Sequence, residues 1–547
     1  MRPTTRGAVP KTSLGAFLRR VWSDRRVPSH VWGYAWSRAR RSLSRIPGLA
    51  WVAVDRGDRG SRAVASLINT ADLGPLRGRT PLGLAQESFD QVTALLRSGD
   101  IPYFVTDSPD HRRSVGVFEE NRGAAIEVLR SSAQPGFFLS GLDSESLPHP
   151  MRRADQRLAA WFGAIAGSGL TFGPEFGATV EFWALESGGF RRVRGGRPGL
   201  SKLFADEPEA SIEVDGARHP TLASFKDEIL RLMVPFPIDL VITWVDGSDP
   251  QWRSDYEREV AEVPGLHPLA SDAARYRSWD LLRYSLRSIS WYTDFVRQIY
   301  LVTAGHVPSW LNVEHPGITT VRHDEIMDTD ALPTFNSHSI ESRLHHIPGL
   351  ADYYVYSNDD LLIAGPLAAR SLFTREGLAQ VTLGSEPIPG GVATEIDAPI
   401  DAASKNGRAL LEKAFGYVAS RKLAHVPFPQ IRSLVEELED RFPDEFDRTH
   451  RSRFRHRDDI SVAAFLSQHA ALATKAGTES EIRAEYVNVA DRWAGEKLDQ
   501  LLERRDLDVL CVNETSIDED SEGAIASMLE GFLGWILPEP SPFELDR

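Results

Sequence analysis

Residues 238–245, IDLVITWV, run straight into Asp246-Gly247-Ser248-Asp249-Pro250. A short apolar run reads as a buried strand, and the polar turn behind it carries two carboxylates, which is how a ligand site opens at the carboxyl end of a parallel strand. The device recurs where Tyr353-Tyr354-Val355-Tyr356-Ser357 leads into Asn358-Asp359-Asp360. Two acidic strand ends in one chain suggest a site for a metal ion and a phosphorylated substrate.

Working outward from these strands, helices and strands alternate. A helix is expected over 278–292, then strands QIYLVT (298–303) and TTVRH (319–323), a helical segment at 338–346, and YYVYS (353–357). Alternation of this kind predicts a mostly parallel sheet flanked by helices, which we place at 237–367. Upstream, Pro220 and Val234-Pro235-Phe236-Pro237 read as a linker after a separate N-terminal α+β unit at 51–230. There Ala85, Phe89, Val92 and Leu96 recur at helical spacing, followed by strand candidates IPYFVT (101–106), SVGVF (114–118) and TVEFWALE (179–186), and by a surface loop at 194–199. Downstream, 368–547 reads as mainly helical, with 431–438 its clearest amphipathic stretch. The expected class is α/β.

At 547 residues the chain is too long for one core and should divide into several units of roughly 100–200 residues. Its 42% hydrophobic and 25% charged content is that of a globular protein. The single Cys511 excludes an internal disulfide and a thiolate metal cage, which favours a reducing compartment. No apolar run is long enough for a transmembrane helix, and the first twenty residues lack the pattern of a secretory signal, so a cytoplasmic location is expected.

Residues 1–50 hold eleven Arg or Lys against one acid, Asp24, a local +10 in a chain of −15. Interleaved with Trp22, Trp32, Tyr34 and Trp36, this arm suits peripheral contact with anionic lipid at the inner membrane face; a solubilising arm is the plainer reading. The acidic remainder argues against nucleic acid as a partner.

Each candidate site has a structural reading beside the functional one. Asp359 and Asp360 could hold Mg²⁺ or Mn²⁺, or simply make a turn or an N-cap. Arg283 and Arg287 share a helix face and could grip phosphate, or lie solvated. His323, His338, His345 and His346 invite zinc, but their spacings match no ligand set. Asn513-Glu514-Thr515 is a sequon by chance in an intracellular chain. His425 alone reads as a structural histidine.

The ordered motifs add what spacing lacks. IDLVITWVDGSDP, RYRSWDLLRYSLRSISWYTDFVRQIYLVTAGHVPSWLN, LPTFNSHSIESRLHHIPGLADYYVYSNDDLL, AHVPFPQIRSLVEELEDRFPDEFDRTHRSRFRHRDDI and CVNETSID, spanning about 237–520, closely resemble the Stealth family. That family includes bacterial capsular and exopolysaccharide phosphotransferases and the catalytic subunit of the lysosomal-enzyme N-acetylglucosamine-1-phosphotransferase. The resemblance implies a nucleotide-sugar donor, typically a UDP-hexose, whose sugar 1-phosphate passes to a hydroxyl of a polysaccharide or oligosaccharide acceptor, with release of nucleoside monophosphate. It implies catalytic roles for Glu341, Asp360, His425 and Arg455, and the separations between Glu341 and Asp360 and between His425 and Arg455 match the family's. Asp360, with Asp359 or Glu341, becomes the ligand of the divalent ion, and Trp244, Asp246, Gly247, Arg283 and Asn336 the secondary substrate contacts. Asp246 stands where the animal enzymes tend to have Asn, which leaves its donor contact open.

Under this reading 237–367 is the catalytic core and 368–547 completes the site. Arg455 would stabilise charge, and His425 or Glu341 would act as general base. A metal-dependent nucleotide-sugar glycosyltransferase is the alternative enzyme, and a polysaccharide-binding scaffold without turnover the alternative of another class.

Overall fold

A computed structural model describes residues 49–52, 66–69 and 72–545, apart from 107–112, 144–145, 147, 194–198, 264–265, 271–275, 503, 505 and 515–521. The basic arm up to residue 48, loop residues 194–198 and Thr515 of the sequon lie outside the described residues.

Ala85, Phe89, Val92 and Leu96 share the buried face of helix α1 (Pro81–Ser98). The Thr80 hydroxyl caps it by accepting the Gly83 N–H, and Pro81 sits in the first turn, where its missing N–H costs nothing. IPYFVT shortens to strand β1 (Phe104–Thr106), since Pro102 has no N–H to give a ladder. SVGVF forms β2 (Ser114–Phe118), and TVEFWALE forms β4 (Ala178–Glu186) beside β3 (Arg157–Phe162). All four belong to a mixed ten-stranded sheet in which β2 is parallel and β3 antiparallel to β4.

Phe89, Val92 and Leu96 pack with Val115, Val117, Leu158, Val180 and Phe182 in a core of the N-terminal part's own. One turn earlier, Leu84 and Ala85 join Phe162, Phe172 and Phe176 in a larger core that continues into the central sheet. The seam is aromatic: Phe172 meets Trp291 edge to face at 5.5 Å between centroids, and Phe176 stacks on Tyr292 at 6.4 Å. The Ser168 hydroxyl donates to the Trp535 carbonyl at 2.8 Å and the Gly167 N–H to Glu539 at 2.9 Å. The N-terminal part is therefore joined to the rest through shared core rather than standing apart.

The central sheet is built as the alternation predicts. Strands β5 (Ile238–Thr243), β6 (Val296–Thr303), β7 (Ile318–Arg322) and β8 (Tyr353–Asn358) are parallel in the order β7-β6-β5-β8. Helix α2 (Leu281–Tyr292) and the short α3 (Ser337–Glu341) lie in the crossovers. Ile238, Leu240 and Ile242 face the large core, while Val241 turns to a second cluster with Tyr300, Val302, Tyr354 and Tyr356. Both faces are covered, which explains why the strands read as continuous apolar runs.

Beyond β8 the chain enters β9 (Leu361–Ile363) and then the C-terminal region, which corrects the expectation of a mainly helical segment. Its helices include α4 (Arg432–Arg441), α5 (Ser467–Thr474) and α6 (Glu522–Ile536), but the described residues also contain six strands. Of these, β10 (Arg421–Leu423), β11 (Phe428–Ile431), β12 (Ala484–Asn488) and β13 (Val509–Asn513) bear on the site. β11 closes the central sheet antiparallel to β8, and β13 pairs with β9 on one side and β12 on the other. Among the described residues no helix is long and apolar enough to cross a membrane.

Candidate active site

At the end of β8 the chain turns through Asp359 and Asp360 and leaves the central sheet for β9. β13 runs alongside and fixes Asp360. The Val512 N–H donates to the Asp360 carbonyl at 3.0 Å, the Asn513 amide donates to Oδ2, and the Cys511 thiol approaches that oxygen at 3.8 Å. Asp360 Oδ1 is buried and has no hydrogen-bond partner. Burial raises the Asp360 carboxyl above its usual range, against the lowering effects of Asn513 and His425. Burial, and then the charge of Asp360, push Asp359 up to about 8.

Two desolvated carboxyls side by side resist double ionisation, a conflict that a divalent cation relieves. The orphaned Oδ1 and the neighbouring Asp359 fit Mg²⁺ or Mn²⁺, which are held through one or two carboxylates and leave the remaining positions to water and phosphate oxygens. The group of three His, Cys, Asp or Glu side chains close enough to share an ion lies elsewhere among the described residues, at His345, His346 and Glu439.

His425 follows β10, is exposed, and lies tilted against Tyr486 of β12 at 4.8 Å between centroids. Its charge acts on Asp360. Glu341, at the end of α3, is buried; its Oε2 accepts from the Ser461 hydroxyl at 3.1 Å and the Ala464 N–H at 3.4 Å. Ala464 lies in a π-helical turn, Val462–Leu466, a geometry frequent at functional sites. Arg455, half-buried, donates to the Ser337 hydroxyl at 2.7 Å.

Tyr356 is the common neighbour of Glu341, Arg455 and Asp360. Its hydroxyl meets Thr243 Oγ1 at 3.1 Å and donates to Asn358 Oδ1 at 2.9 Å. Burial pushes its phenol well above the usual value, and the charges of Glu341, Arg455 and Asp360 all act on it. The structure thus brings Glu341, Asp360, His425 and Arg455 to one end of β8.

The secondary candidates divide. Trp244, Asp246 and Gly247 follow β5, next to β8. The Trp244 ring lies 5.2 Å from His306, whose Nε2 accepts the Asp246 N–H at 3.0 Å. Asp246 Oδ1 is spent on the Ser248 N–H at 2.8 Å. A Cβ on Gly247 would fall 2.7 Å from the Tyr276 carbonyl oxygen, so the close approach demands glycine. Asn336 is fully buried: its Oδ1 caps α3 through the His338 N–H, and its Nδ2 donates to Ser452, Phe454 and Asp459. It orients the loop that carries Arg455.

Arg283 is placed otherwise than expected. It pairs with Asp280 at 2.8 Å, lies 3.7 Å from Glu544 and covers Trp310. Arg287 grips both oxygens of Glu544 at 2.7 Å. These guanidiniums hold a carboxylate near the far end of the chain in the place assigned to phosphate. His306, Tyr356, Tyr486 and Asn513 were not anticipated as site residues. For Asn513 a signal existed: Val509-Leu510-Cys511-Val512 is a third apolar run ending in a polar residue.

Comparison with known proteins matches residues 236–260 to Stealth protein CR1, conserved region 1; 275–381 to CR2, conserved region 2; 424–472 to CR3, conserved region 3; and 499–547 to CR4, conserved region 4. An exopolysaccharide phosphotransferase of Streptomyces coelicolor is 36% identical over 492 residues, covering 85% of this chain and 83% of its own. Another from that organism is 35% identical over 534 residues, covering 90% of this chain; the chain spans only 56% of that relative's length. Exopolysaccharide phosphotransferase CpsY of Mycobacterium tuberculosis is 31% identical over 483 residues, covering 85% and 90% of the two chains. Among solved structures, a galactosyltransferase, LgtC, in complex with donor and acceptor sugar analogs is 10% identical over 54% of this chain and 95% of its own, with a TM-score of 0.27, a likeness on which nothing rests.

Proposed function

The chain belongs to the Stealth family, among its exopolysaccharide phosphotransferases, and from that premise we propose that it moves a hexose 1-phosphate from a nucleotide-sugar, a UDP-hexose, to a hydroxyl of an acceptor polysaccharide. The supporting observation is that Glu341, Arg455 and Asp360 gather around Tyr356 towards the carboxyl end of β8, and that His425 acts on Asp360.

The acceptor oxygen attacks the phosphorus nearest the sugar. The bond from that phosphorus to the bridging diphosphate oxygen breaks, and nucleoside monophosphate leaves with the electron pair. The sugar's own C–O bond survives, so no oxocarbenium ion needs stabilising; the task is negative charge on the transferring phosphoryl group. His425 takes the acceptor proton: it is exposed to an arriving hydroxyl and held against Tyr486. Glu341 suits that role less, because it is buried and Oε2 is committed to Ser461 and Ala464. Arg455 presents a planar guanidinium, tethered at one end by Ser337, to the equatorial oxygens.

Asp359 and Asp360 would hold Mg²⁺ or Mn²⁺, which when bound neutralises the diphosphate. Trp244 and Gly247 line the donor side, and the basic arm provides the contact with anionic lipid where the polymer is assembled.

A donor labelled at the phosphate nearest the sugar tests the reading. Label should enter the polymer, with unlabelled nucleoside monophosphate released. Label left in nucleoside diphosphate would mean sugar transfer alone and sink the proposal in favour of a glycosyltransferase.

A further inference from the structure

The spacing of His345 and His346 offers no third ligand, but the fold supplies one from 93 residues further on. His345 Nε2 lies 2.7 Å from Glu439 Oε2, and His346 Nε2 lies 2.9 Å from the same oxygen. The three donor atoms all fall within 4.8 Å of one another. Arg343 pairs with the other oxygen, Oε1, and so orients the carboxylate as outer-shell partners of metal ligands do. His345 is buried and packs edge to face with Phe446 at 6.3 Å, while His346 is exposed and leaves one side open to solvent.

We propose that His345, His346 and Glu439 form a second metal site, apart from the Asp359–Asp360 pair, that takes a zinc-type divalent ion. Two imidazole nitrogens and one carboxylate oxygen, with a fourth position left to water, are a donor set suited to zinc. Each imidazole binds the ion through Nε2 with its one proton on Nδ1, a neutral ring by shifting tautomer and a charged ring by releasing the Nε2 proton to solvent, and the ion ties the turn Leu344–His346 to α4. Glu341 lies four residues before His345, so the tie braces the segment that carries Glu341.

The test uses the full chain, stripped with chelator and titrated with zinc chloride, with cobalt chloride as a spectroscopic probe. One zinc equivalent should bind and raise Tm in the wild type and equally in Asp360→Asn, and cobalt should show the absorption of a four-coordinate site in both. Because His346 is exposed, His346→Ala should fold normally, as circular dichroism would report. Zinc affinity should fall at least about 100-fold in His346→Ala and in Glu439→Gln, the upper end of what losing even an outer-shell partner costs. Unchanged zinc affinity in His346→Ala, or no zinc bound by Asp360→Asn, would overturn the proposal and leave the trio a hydrogen-bonded strut.

Discussion

The turn after β8 and the arginine-bearing side of α2 both carry charged residues that suggest phosphate chemistry in the sequence, and the fold treats them in opposite ways. Asp359 and Asp360 are desolvated, one oxygen of Asp360 has no partner, and among the described residues no Lys or Arg forms an ion pair with either. Arg287 is satisfied by both oxygens of Glu544, and Arg283 is charge-paired with Asp280 and Glu544. Keeping an uncompensated carboxylate out of water is costly, so it persists where something absent from the chain completes it. A compensated pair needs nothing further and serves as glue.

Asp360→Ala should set the contrast at its widest. Transfer, read as monophosphate release, should drop about 1000-fold, the several kcal/mol that a bound cation contributes to a phosphoryl transition state, while Tm holds or rises. Near wild-type turnover would erase the distinction.

Arg287→Ala should do the reverse. It leaves Glu544 only the Ser541 hydrogen bonds and Arg283 at 3.7 Å, and should cost about 3 kcal/mol in denaturant unfolding, with transfer per folded molecule within a few-fold of normal. Intact stability with collapsed turnover would return that arginine to the phosphate.

Asn513→Ala removes the amide that leaves Asp360 only Oδ1 free. Mn²⁺ affinity measured by calorimetry should weaken roughly 10- to 100-fold, the usual toll for an outer-shell partner.

The smallest effect is one of pH. Asp359 must lose a proton to bind a cation, and its carboxyl is pushed up to about 8, so Mn²⁺ affinity should climb as pH rises toward 8, by at most about tenfold per unit, and level off above. The sign for the metal-free fold is opposite: the raised value keeps a proton that the unfolded chain sheds near pH 4, so stability in chelator should decline over the same interval. A flat profile would mean that Asp359 does not touch the ion.

The central strands were legible because parallel strands buried on both faces announce themselves as apolar runs; β2 begins and ends where its residues suggested, and Ile238 opens β5 as read. β13 escaped notice because its run is short and its partners, β9 and β12, are chosen by tertiary pairing rather than by any local rhythm. The acidic strand ends were visible in the same way as the strands. What joins them was not: Asn513 reaches Asp360 across 153 positions, and Arg287 reaches Glu544 across 257, distances at which no spacing rule operates. Arginine placement on a helix face tells which side it leaves from, never what it meets.

Trp291 and Tyr292 rest on Phe172 and Phe176, which come from a stretch outside the four family-matched regions. The segment that carries Phe172 and Phe176 is therefore a foundation for α2. A shortened protein begun at Pro237 would carry a greasy scar along the helix that backs the central sheet, and domain swaps between relatives would succeed only when both sides of that scar travel together.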